Sequence, residues 1–199
     1  MTRFTMGIPG YSLLELMLAM SLGATLTAAA VPQYLASLDD LRASAAAHHV
    51  LGRLQRARME AVMRSAMVGV LFTQAPEGGY SYAVYLDGNR NGVLTRDVQR
   101  GVDPLIASGE RLSDQFAGVE FGAVSGLPPV DPGGTAPGAD PIRLGSGNVA
   151  SFSALGSATS GTLYIRSRRD AQYAVRVYGE TGKTRVLKFD SRTRRWKQV

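Results

Sequence analysis

One carboxylate, that of Glu15, lies inside an apolar run near the beginning of the chain. Residues 11–31 contain no other charged side chain, and as a helix they would span about 31 Å, the thickness of a bilayer's hydrocarbon core. An acid in such a segment costs about 2.5–3.5 kcal/mol on insertion, and it becomes tolerable when it pairs with a cation in a low dielectric. The position of Glu15 therefore indicates a segment that does more than hold the chain in a membrane.

Two ordinary interpretations of this run leave Glu15 unexplained. Residues 11–31 fit a plain membrane anchor, and they also fit a secretory signal cleaved at Ala28 and Ala30, after which the mature chain would begin at Val31. Neither interpretation gives a reason for an acid in the segment. Arg3, the only charged residue ahead of the run, predicts a cytoplasmic N-terminus and an outward C-terminal bulk.

A second group of oxygen-bearing residues lies in the segment DGNRNGVLTRDV. Asp87, Asn89 and Asn91 stand at alternate positions, as the first calcium ligands of an EF-hand loop do. The further candidate ligands are the Val93 carbonyl, Thr95 and Asp97. Asp97 stands one position ahead of the place where an EF-hand carries its bidentate glutamate. The alternative is a tight turn in which Asp, Asn and Gly serve the backbone directly. We favour the turn and keep calcium as the alternative.

Positive charge is concentrated at the C-terminal end of the chain. The formal net charge is +6, yet residues 162–199 alone hold eleven Lys and Arg against three acids. The last of these cations surround the only tryptophan, Trp196: Arg192, Arg194, Arg195 and Lys197. Cations beside an aromatic ring suit the phosphates and a stacked base of a nucleic acid. The alternative is a solvated edge strand, whose charges discourage aggregation.

The remaining residues do not predict an enzyme. The chain has no cysteine, which excludes thiolate catalysis and Cys-based zinc sites. His48 and His49 are adjacent on a predicted helix and therefore point in different directions; we expect His48 to be half-buried and His49 exposed. The glycine-rich segment GSGNVASFSALGS lacks the spacing of a phosphate-binding loop. We accordingly expect no cofactor, calcium excepted.

The elements that must position these residues are one long helix followed by many strands. The helix is predicted to continue from the apolar run to about Met67 on an apolar stripe made of Leu41, Ala45, His48, Leu51, Leu54, Ala61 and Val62. Strands are predicted at 68–73, 80–87, 118–124, 141–145, 149–154, 161–166, 172–178, 184–189 and 195–199. Residues 125–141 hold five of the nine prolines and predict a long surface loop, with mobility one option. This order is an α+β layout in which the helix packs on an antiparallel sheet.

The beginning of the chain resembles the type III signal of type IV pilins and type II secretion pseudopilins. The resemblance rests on Gly10 followed by Tyr11-Ser12-Leu13-Leu14-Glu15. It implies that a prepilin peptidase removes residues 1–10, that Tyr11 becomes the N-methylated N-terminus, and that Glu15 pairs with the terminal amine of a neighbouring subunit. Pro32 matches the proline that kinks the helix in many pilins.

The later segments are similar to the H-type minor pseudopilins, the GspH/FimT family. The similarity is carried by YAVYLDGNRNGVLTRDVQRGVDPLI, by ASFSALGSATSGTLYI and by YAVRVYGETGKTRVLKF. It implies a transmembrane and assembly helix at 11–31, a continuation packed on the sheet at 32–67 and a β-rich periplasmic domain at 68–199. The expected role is that of a structural subunit at or near the tip of a type II secretion pseudopilus, in the bacterial inner membrane. Its implied partners are other major and minor pseudopilins, the prepilin peptidase and the inner-membrane assembly platform. The alternative is a FimT-like minor type IV pilin that binds DNA during uptake.

Overall fold

The structure is a computed structural model that describes residues 10–145 and 147–199. The first nine residues of the leader predicted at 1–10, Arg3 among them, lie outside the described residues. The elements in chain order are α1 (Leu13–Arg64), β1 (Val68–Gln74), β2 (Tyr80–Leu86), α2 (Thr95–Gln99), β3 (Leu105–Arg111), α3 (Leu112–Gln115), β4 (Val119–Phe121), β5 (Ile142–Leu144), β6 (Val149–Phe152), β7 (Gly161–Ser167), β8 (Gln172–Val177), β9 (Thr184–Asp190) and β10 (Arg195–Gln198). One long helix followed by antiparallel strands confirms the α+β class.

Helix α1 passes through two compact units, one ending at Leu38 and the other formed by residues 39–199. In the first unit every residue from Gly10 to Ser37 is exposed. Among the described residues, α1 is the one helix long and apolar enough to cross a membrane. A row of exposed apolar side chains of this length needs an apolar surrounding, which a bilayer or neighbouring helices would supply.

In the second unit α1 is held by small residues. The side chains buried on this part of the helix are Asp39, Ala43, Ala46, Ala47, Val50, Leu54, Ala57 and Ala61, which recur at spacings of three and four and so share one face. The predicted stripe was correct for Leu54 and Ala61 but wrong for Leu41, Ala45 and Val62, which are exposed. Alanine methyl groups let the helix backbone approach the strands closely, so the buried face follows the small residues rather than the large ones.

The histidine prediction was also wrong. His48 is exposed and His49 is partly buried, the reverse of the expectation. The difference follows from the shifted helix face, because His49 directly precedes the buried Val50. The ring centroids of His49 and Phe116 are 5.6 Å apart.

Two antiparallel sheets enclose one core with the helix. The four-stranded sheet has the order β3-β2-β1-β6, and the six-stranded sheet has the order β10-β9-β8-β7-β4, with β5 also paired to β7. The main apolar cluster combines the alanine face of α1 with inward side chains of both sheets, among them Phe72, Phe152, Ile165 and Val175. The sequence did not predict β3, α2 and α3, which lie among the charged residues of segment 95–115.

The proline-rich segment covers the outer face of the six-stranded sheet. It contains no helix or strand between β4 and β5, as predicted. Leu127 is buried against Tyr164 and Ala174, whose side chains point away from the main core. The carboxylate of Asp131 pairs with Arg176 at 2.6 Å, and Arg143 donates to the carbonyl of Ala136 at 3.0 Å. The segment is therefore a packed cover, and these contacts argue against a freely mobile loop.

Candidate functional site

The predicted cleavage site lies in an exposed segment without regular secondary structure, directly ahead of α1. Gly10 and Tyr11 precede the helix, and Tyr11 is 80% exposed. A Cβ atom added to Gly10 would meet no atom within 4 Å. The fold therefore does not require glycine at this position. If glycine is required there, the requirement comes from a molecule that binds the segment.

Glu15 stands in the first turn of α1. Its backbone N–H donates to the hydroxyl of Ser12 at 3.2 Å, which caps the beginning of the helix. The Glu15 side chain is exposed, and its charge lies near the positive end of the helix dipole. The carboxylate is thus presented outward from the helix, where a group from another molecule can reach it.

The hydroxyl groups along the apolar run are satisfied within the helix. Ser21 donates to the carbonyl of Leu18 at 2.9 Å, Thr25 to that of Leu22 at 2.8 Å, and Thr27 to that of Gly23 at 2.8 Å. Polar groups that are bonded to the helix backbone can enter hydrocarbon at low cost. Glu15 is consequently the only charged group that insertion of this run would have to accommodate.

The predicted kink at Pro32 stays a prediction. Helix α1 continues through Pro32 without a break in its helical assignment. Proline brings no N–H to the helix and its ring presses on the preceding turn, which are the two causes of a kink.

In the Asp87 loop the carboxylates bind the loop's own backbone. Asp87 is buried, and it accepts hydrogen bonds from the backbone N–H groups of Asn89 at 3.2 Å, Asn91 at 3.3 Å and Gly92 at 2.8 Å. Gly92 has a φ of +93°, which a residue with a side chain rarely adopts. These bonds are those of a tight turn, which is the interpretation that the sequence favoured.

Three of the other predicted calcium ligands, Asn89, Asn91 and Asp97, are hydrogen-bonded to one another. The side-chain amides of Asn91 and Asn89 donate to Asp97 at 2.9 and 3.4 Å. The Asn91 amide, with further help from the Asn89 amide and Arg96, lowers the pKa of the Asp97 carboxyl below its usual value. The Val93 side chain is buried in a small cluster with Leu71 and Val149, and Thr95 is exposed at the start of α2.

Sequence reasoning missed Asp103, which closes the loop from the far side. Asp103 is 1% exposed and accepts from the backbone N–H groups of Gly88 at 3.0 Å and Leu94 at 3.2 Å. Within residues 10–145 and 147–199, no group of three or more His, Cys, Asp or Glu side chains is arranged to hold a metal ion. Calcium binding stays an untested prediction, and the hydrogen bonds support the turn.

The C-terminal strand β10 is the edge of the six-stranded sheet. Its tryptophan, Trp196, packs between Tyr164 and Phe189, with ring centroids 5.9 and 5.2 Å away. The indole N–H donates to the carbonyl of Pro128 at 3.0 Å. The Trp196 ring therefore helps to hold the proline-rich segment against the sheet. It is not free for stacking on a base.

The cations beside Trp196 remain at the surface. Arg192, Arg194, Arg195 and Lys197 are all exposed. Lys197 pairs with Asp190 at 2.6 Å, and Arg194 donates to the carbonyl of Gly126 at 2.9 Å. The Lys197 ammonium and the backbone N–H groups of Thr193 and Arg192 hold the pKa of Asp190 well below its usual range. The four predicted cations are thus exposed on the β9–β10 turn and β10, whereas Trp196 packs against the sheet, and nucleic-acid binding stays a prediction.

A polar cluster around Glu110 joins α1 to the strands. The carboxylate of Glu110 pairs with Arg53 and lies 3.2 Å from Nε2 of His49. It also accepts from the hydroxyl of Tyr82 at 3.1 Å and the amide of Gln115 at 3.2 Å. Sequence reasoning missed this cluster because its members are separated by up to about sixty residues and form no local pattern.

Comparison with known proteins gives one finding. A scan against protein-family models matches residues 46–182 to the family described as type II transport protein GspH. The matched segment covers the last nineteen residues of α1 and the strands through β8, and it excludes the apolar run and the last basic residues. The search of curated proteins and the search of solved structures gave no match.

Proposed function

The chain belongs to the GspH family of type II transport proteins, and from this premise we propose that it is a minor pseudopilin of a type II secretion system. It would be a structural subunit at or near the tip of the pseudopilus, and it would assist protein export across the outer membrane. The observation that carries this proposal is the exposed apolar helix that bears Glu15 in its first turn and leads into the family-matched domain.

The proposed life cycle follows from the exposed N-terminal segment. A prepilin peptidase would cut between Gly10 and Tyr11, and Tyr11 would become the methylated N-terminus. The helix would first cross the inner membrane and place the β-rich domain in the periplasm. Helices of other pseudopilins would then replace lipid around it, and Glu15 would pair with the terminal amine of a neighbour. Such pairing offsets the cost of a carboxylate in an apolar medium.

A FimT-like minor pilin that binds DNA is the alternative within the family. The exposed cations near Trp196 suit phosphates, but stacking on a base would need a free aromatic ring, and Trp196 is packed between two rings and hydrogen-bonded. We therefore rank secretion first. Genes for a secretion ATPase, a secretin and other pseudopilins beside this one would support that order, whereas pilus and competence genes would reverse it.

Intact-mass measurement on membrane-extracted protein tests the proposal directly. We expect a mature chain that begins at Tyr11 and carries one methyl group. A Gly10→Leu variant should keep residues 1–10, because bulk at the cleavage position blocks the peptidase, whereas Gly23→Leu, at an equally open position, should be processed normally. A mature chain that begins at Val31 would identify a secretory signal and contradict the proposal.

A further inference from the structure

The place where α1 enters the second unit is marked by two carboxylates. Asp39, the first residue of that unit, accepts from the backbone N–H of Arg169 at 3.0 Å. Asp40 accepts from the hydroxyl of Tyr173 at 3.0 Å and pairs with Lys188 at 2.7 Å. These contacts place the turn between β7 and β8, and the last residues of β9, at the end of the domain that receives the helix.

The antiparallel register brings a second turn to the same end. Tyr173 of β8 pairs with Lys188 of β9, and Asp190 at the end of β9 pairs with Arg195 at the start of β10. The β9–β10 turn therefore lies beside the β7–β8 turn. We call the exposed cations that gather here the basic end: Arg42, Arg168, Arg169, Arg192, Arg194, Arg195 and Lys197.

The acids at this end are too few and too engaged to cancel the basic end. They are Asp39, Asp40, Glu120, Asp170 and Asp190. Glu120 pairs with Arg166 at 2.7 Å. Asp39 and Asp40 bind the β7–β8 turn, Tyr173 and Lys188, and Asp190 pairs with Lys197. The opposite end of the same sheet differs, because the β8–β9 turn carries one acid, Glu180, and one base, Lys183. The exposed positive charge is thus concentrated at one end of the sheet, although the half-buried Arg58 and Arg185 lie near the other end.

Chain length keeps the basic end close to the apolar run. Asp39 lies eight residues after Val31, the last residue of that run. Eight residues span about 28 Å at most when fully extended, and about 12 Å as helix. Any membrane that holds residues 11–31 is therefore within reach of this end of the domain, whatever the orientation of the domain.

We propose that the basic end binds the anionic phospholipid headgroups of the membrane that holds α1. Guanidinium groups bind phosphate oxygens in pairs, and a cation beside an anionic membrane gains about fivefold in surface affinity. Most of these charges lie on the β7–β8 and β9–β10 turns and on the edge strand β10, and all of them are exposed. A lipid surface is favoured over a nucleic acid because a membrane that holds residues 11–31 lies within reach of the basic end. In addition, Trp196 packs against Tyr164 and Phe189 and its indole N–H is bonded to Pro128, so the ring is not free to stack on a base. The proposal rests on the membrane anchoring of the proposed function.

Such binding would hold the domain at the bilayer while the subunit waits for assembly. It would be reversible, because exposed charge pairs are screened within a Debye length of about 8–10 Å at ordinary salt. The family match ends at residue 182, so four cations of the basic end lie beyond the segment that the family describes.

Energy transfer from the single tryptophan provides the test. Full-length protein is reconstituted into vesicles of phosphatidylcholine alone, or with about one third phosphatidylglycerol, each containing a dansyl-labelled headgroup lipid. Transfer from Trp196, the only tryptophan, reports the distance of the basic end from the headgroups. We expect transfer to increase with phosphatidylglycerol at about 50 mM salt and to lose that increase at about 500 mM. Equal transfer from both vesicles at low salt would overturn the proposal.

Two triple variants assign the effect to the basic end. Arg168→Glu with Arg192→Glu and Arg195→Glu should abolish the increase that depends on phosphatidylglycerol. The matched control, Arg90→Glu with Arg100→Glu and Lys183→Glu, reverses three exposed cations elsewhere and should keep it. An increase that persists in the first variant would overturn the proposal. If that variant fails to fold by circular dichroism, the same positions changed to Gln decide the question.

Two further outcomes distinguish lipid binding from nucleic-acid binding and from a failure of the proposed membrane anchoring. Protein that floats with both vesicles, but whose transfer responds to a single-stranded oligonucleotide and not to phosphatidylglycerol, overturns the lipid proposal in favour of a nucleic acid. Protein that floats with neither vesicle overturns the membrane anchoring of the proposed function, and this inference with it.

Discussion

The cluster around Glu110 shows how burial and a neighbouring cation shift the pKa of one residue. Glu110 lies 3.2 Å from His49, a contact that by itself would favour a protonated imidazole. The guanidinium of Arg53 pairs with the same carboxylate and opposes that attraction. Burial of the imidazole and then the nearby Arg53 charge lower the pKa of His49 below its ordinary value of 6.5. The cluster therefore holds His49 neutral.

This shift predicts a loss of stability in mild acid. Above the ordinary pKa the imidazole is neutral in the folded and unfolded chains, so it makes no difference between them. As the pH falls through 6.5, the unfolded chain takes up a proton that the folded chain resists, so the free energy of unfolding decreases. Thermal melts of full-length protein in detergent, from pH 8 to pH 5, should show a smaller decrease in His49→Gln than in wild type.

The adjacent histidine provides the matched control for this measurement. His48→Gln removes an exposed imidazole from the next helix position and should leave the acid-dependent loss as in wild type. Equal pH profiles for wild type and His49→Gln would show that the Glu110 cluster does not discriminate between the two charge states.

The carboxylate of Asp87 is the hydrogen-bond acceptor for three backbone N–H groups. If this is its full role, calcium at about 1 mM should leave the melting temperature unchanged, because a ligand that does not bind cannot stabilise. Asp87→Ala should lower the free energy of unfolding by about 2–3 kcal/mol, since the N–H groups of Asn89, Asn91 and Gly92 lose a charged acceptor.

An exposed aspartate in a short helix serves as the control for Asp87. Asp114→Ala removes a carboxylate whose side chain meets only the neighbouring Ser113 hydroxyl in its hydrogen bonds, so the free energy of unfolding should change by about 0.5 kcal/mol or less. A melting temperature that rises by several degrees with calcium in wild type, and not in Asp87→Ala, would establish the calcium site instead.

At the scale of elements, the sequence predicted most strands because their apolar and β-branched residues alternate. Tyr82 faces the core, with Tyr80, Val84 and Leu86 packed against it, as the alternation indicated. Strand β3 was missed because Leu105–Arg111 contains small and charged residues with no such alternation. It forms because its backbone pairs with that of β2 in the antiparallel sheet. A local sequence pattern does not reveal such a pairing between distant segments.

The helix face and the proline-rich cover escaped prediction for a related reason. Alanine is apolar but small, so the periodic pattern gave more weight to Leu41 and Val62 than to Ala46 and Ala47. The partners of Leu127 and Trp196 lie on strands distant in the chain, and only the folded sheet brings them together. Sequence alone could predict the long helix and most of the strands, but it could not predict which of their faces would be covered.

The alanine face predicts that added bulk on one side of α1 is destabilising. Ala46→Leu should lower the free energy of unfolding by about 1–3 kcal/mol, because the side chain has no space at a position with no exposed surface. Ala45→Leu places the same side chain at the adjacent exposed position and should change it by about 0.5 kcal/mol or less. Denaturant unfolding of the full-length protein measures both. Equal effects would show that the helix face has been assigned incorrectly.

At the scale of the whole molecule, the two units have opposite needs. Residues 10–37 are exposed throughout and need an apolar environment, whereas residues 39–199 enclose their own core. In the proposed function, the subunit must be stable in a membrane and also leave it for a filament. Apolar side chains are stable both in lipid and among packed helices, so hydrophobicity alone does not favour transfer from the membrane to the filament. Glu15 does, because it is costly in lipid and is accommodated when a neighbour supplies a cation.

Glu15→Ala should therefore separate insertion from assembly. Insertion should be unimpaired or improved, because the variant removes a group that costs about 2.5–3.5 kcal/mol in a membrane. Joining the filament should be impaired at least tenfold, because removal of one partner from a buried ion pair costs about 3–5 kcal/mol. Membrane fractionation measures the first, and co-purification with the other pseudopilins measures the second. Glu180→Ala removes an exposed acid from the second unit and should change neither. Wild-type co-purification of Glu15→Ala would show that the carboxylate does not drive assembly.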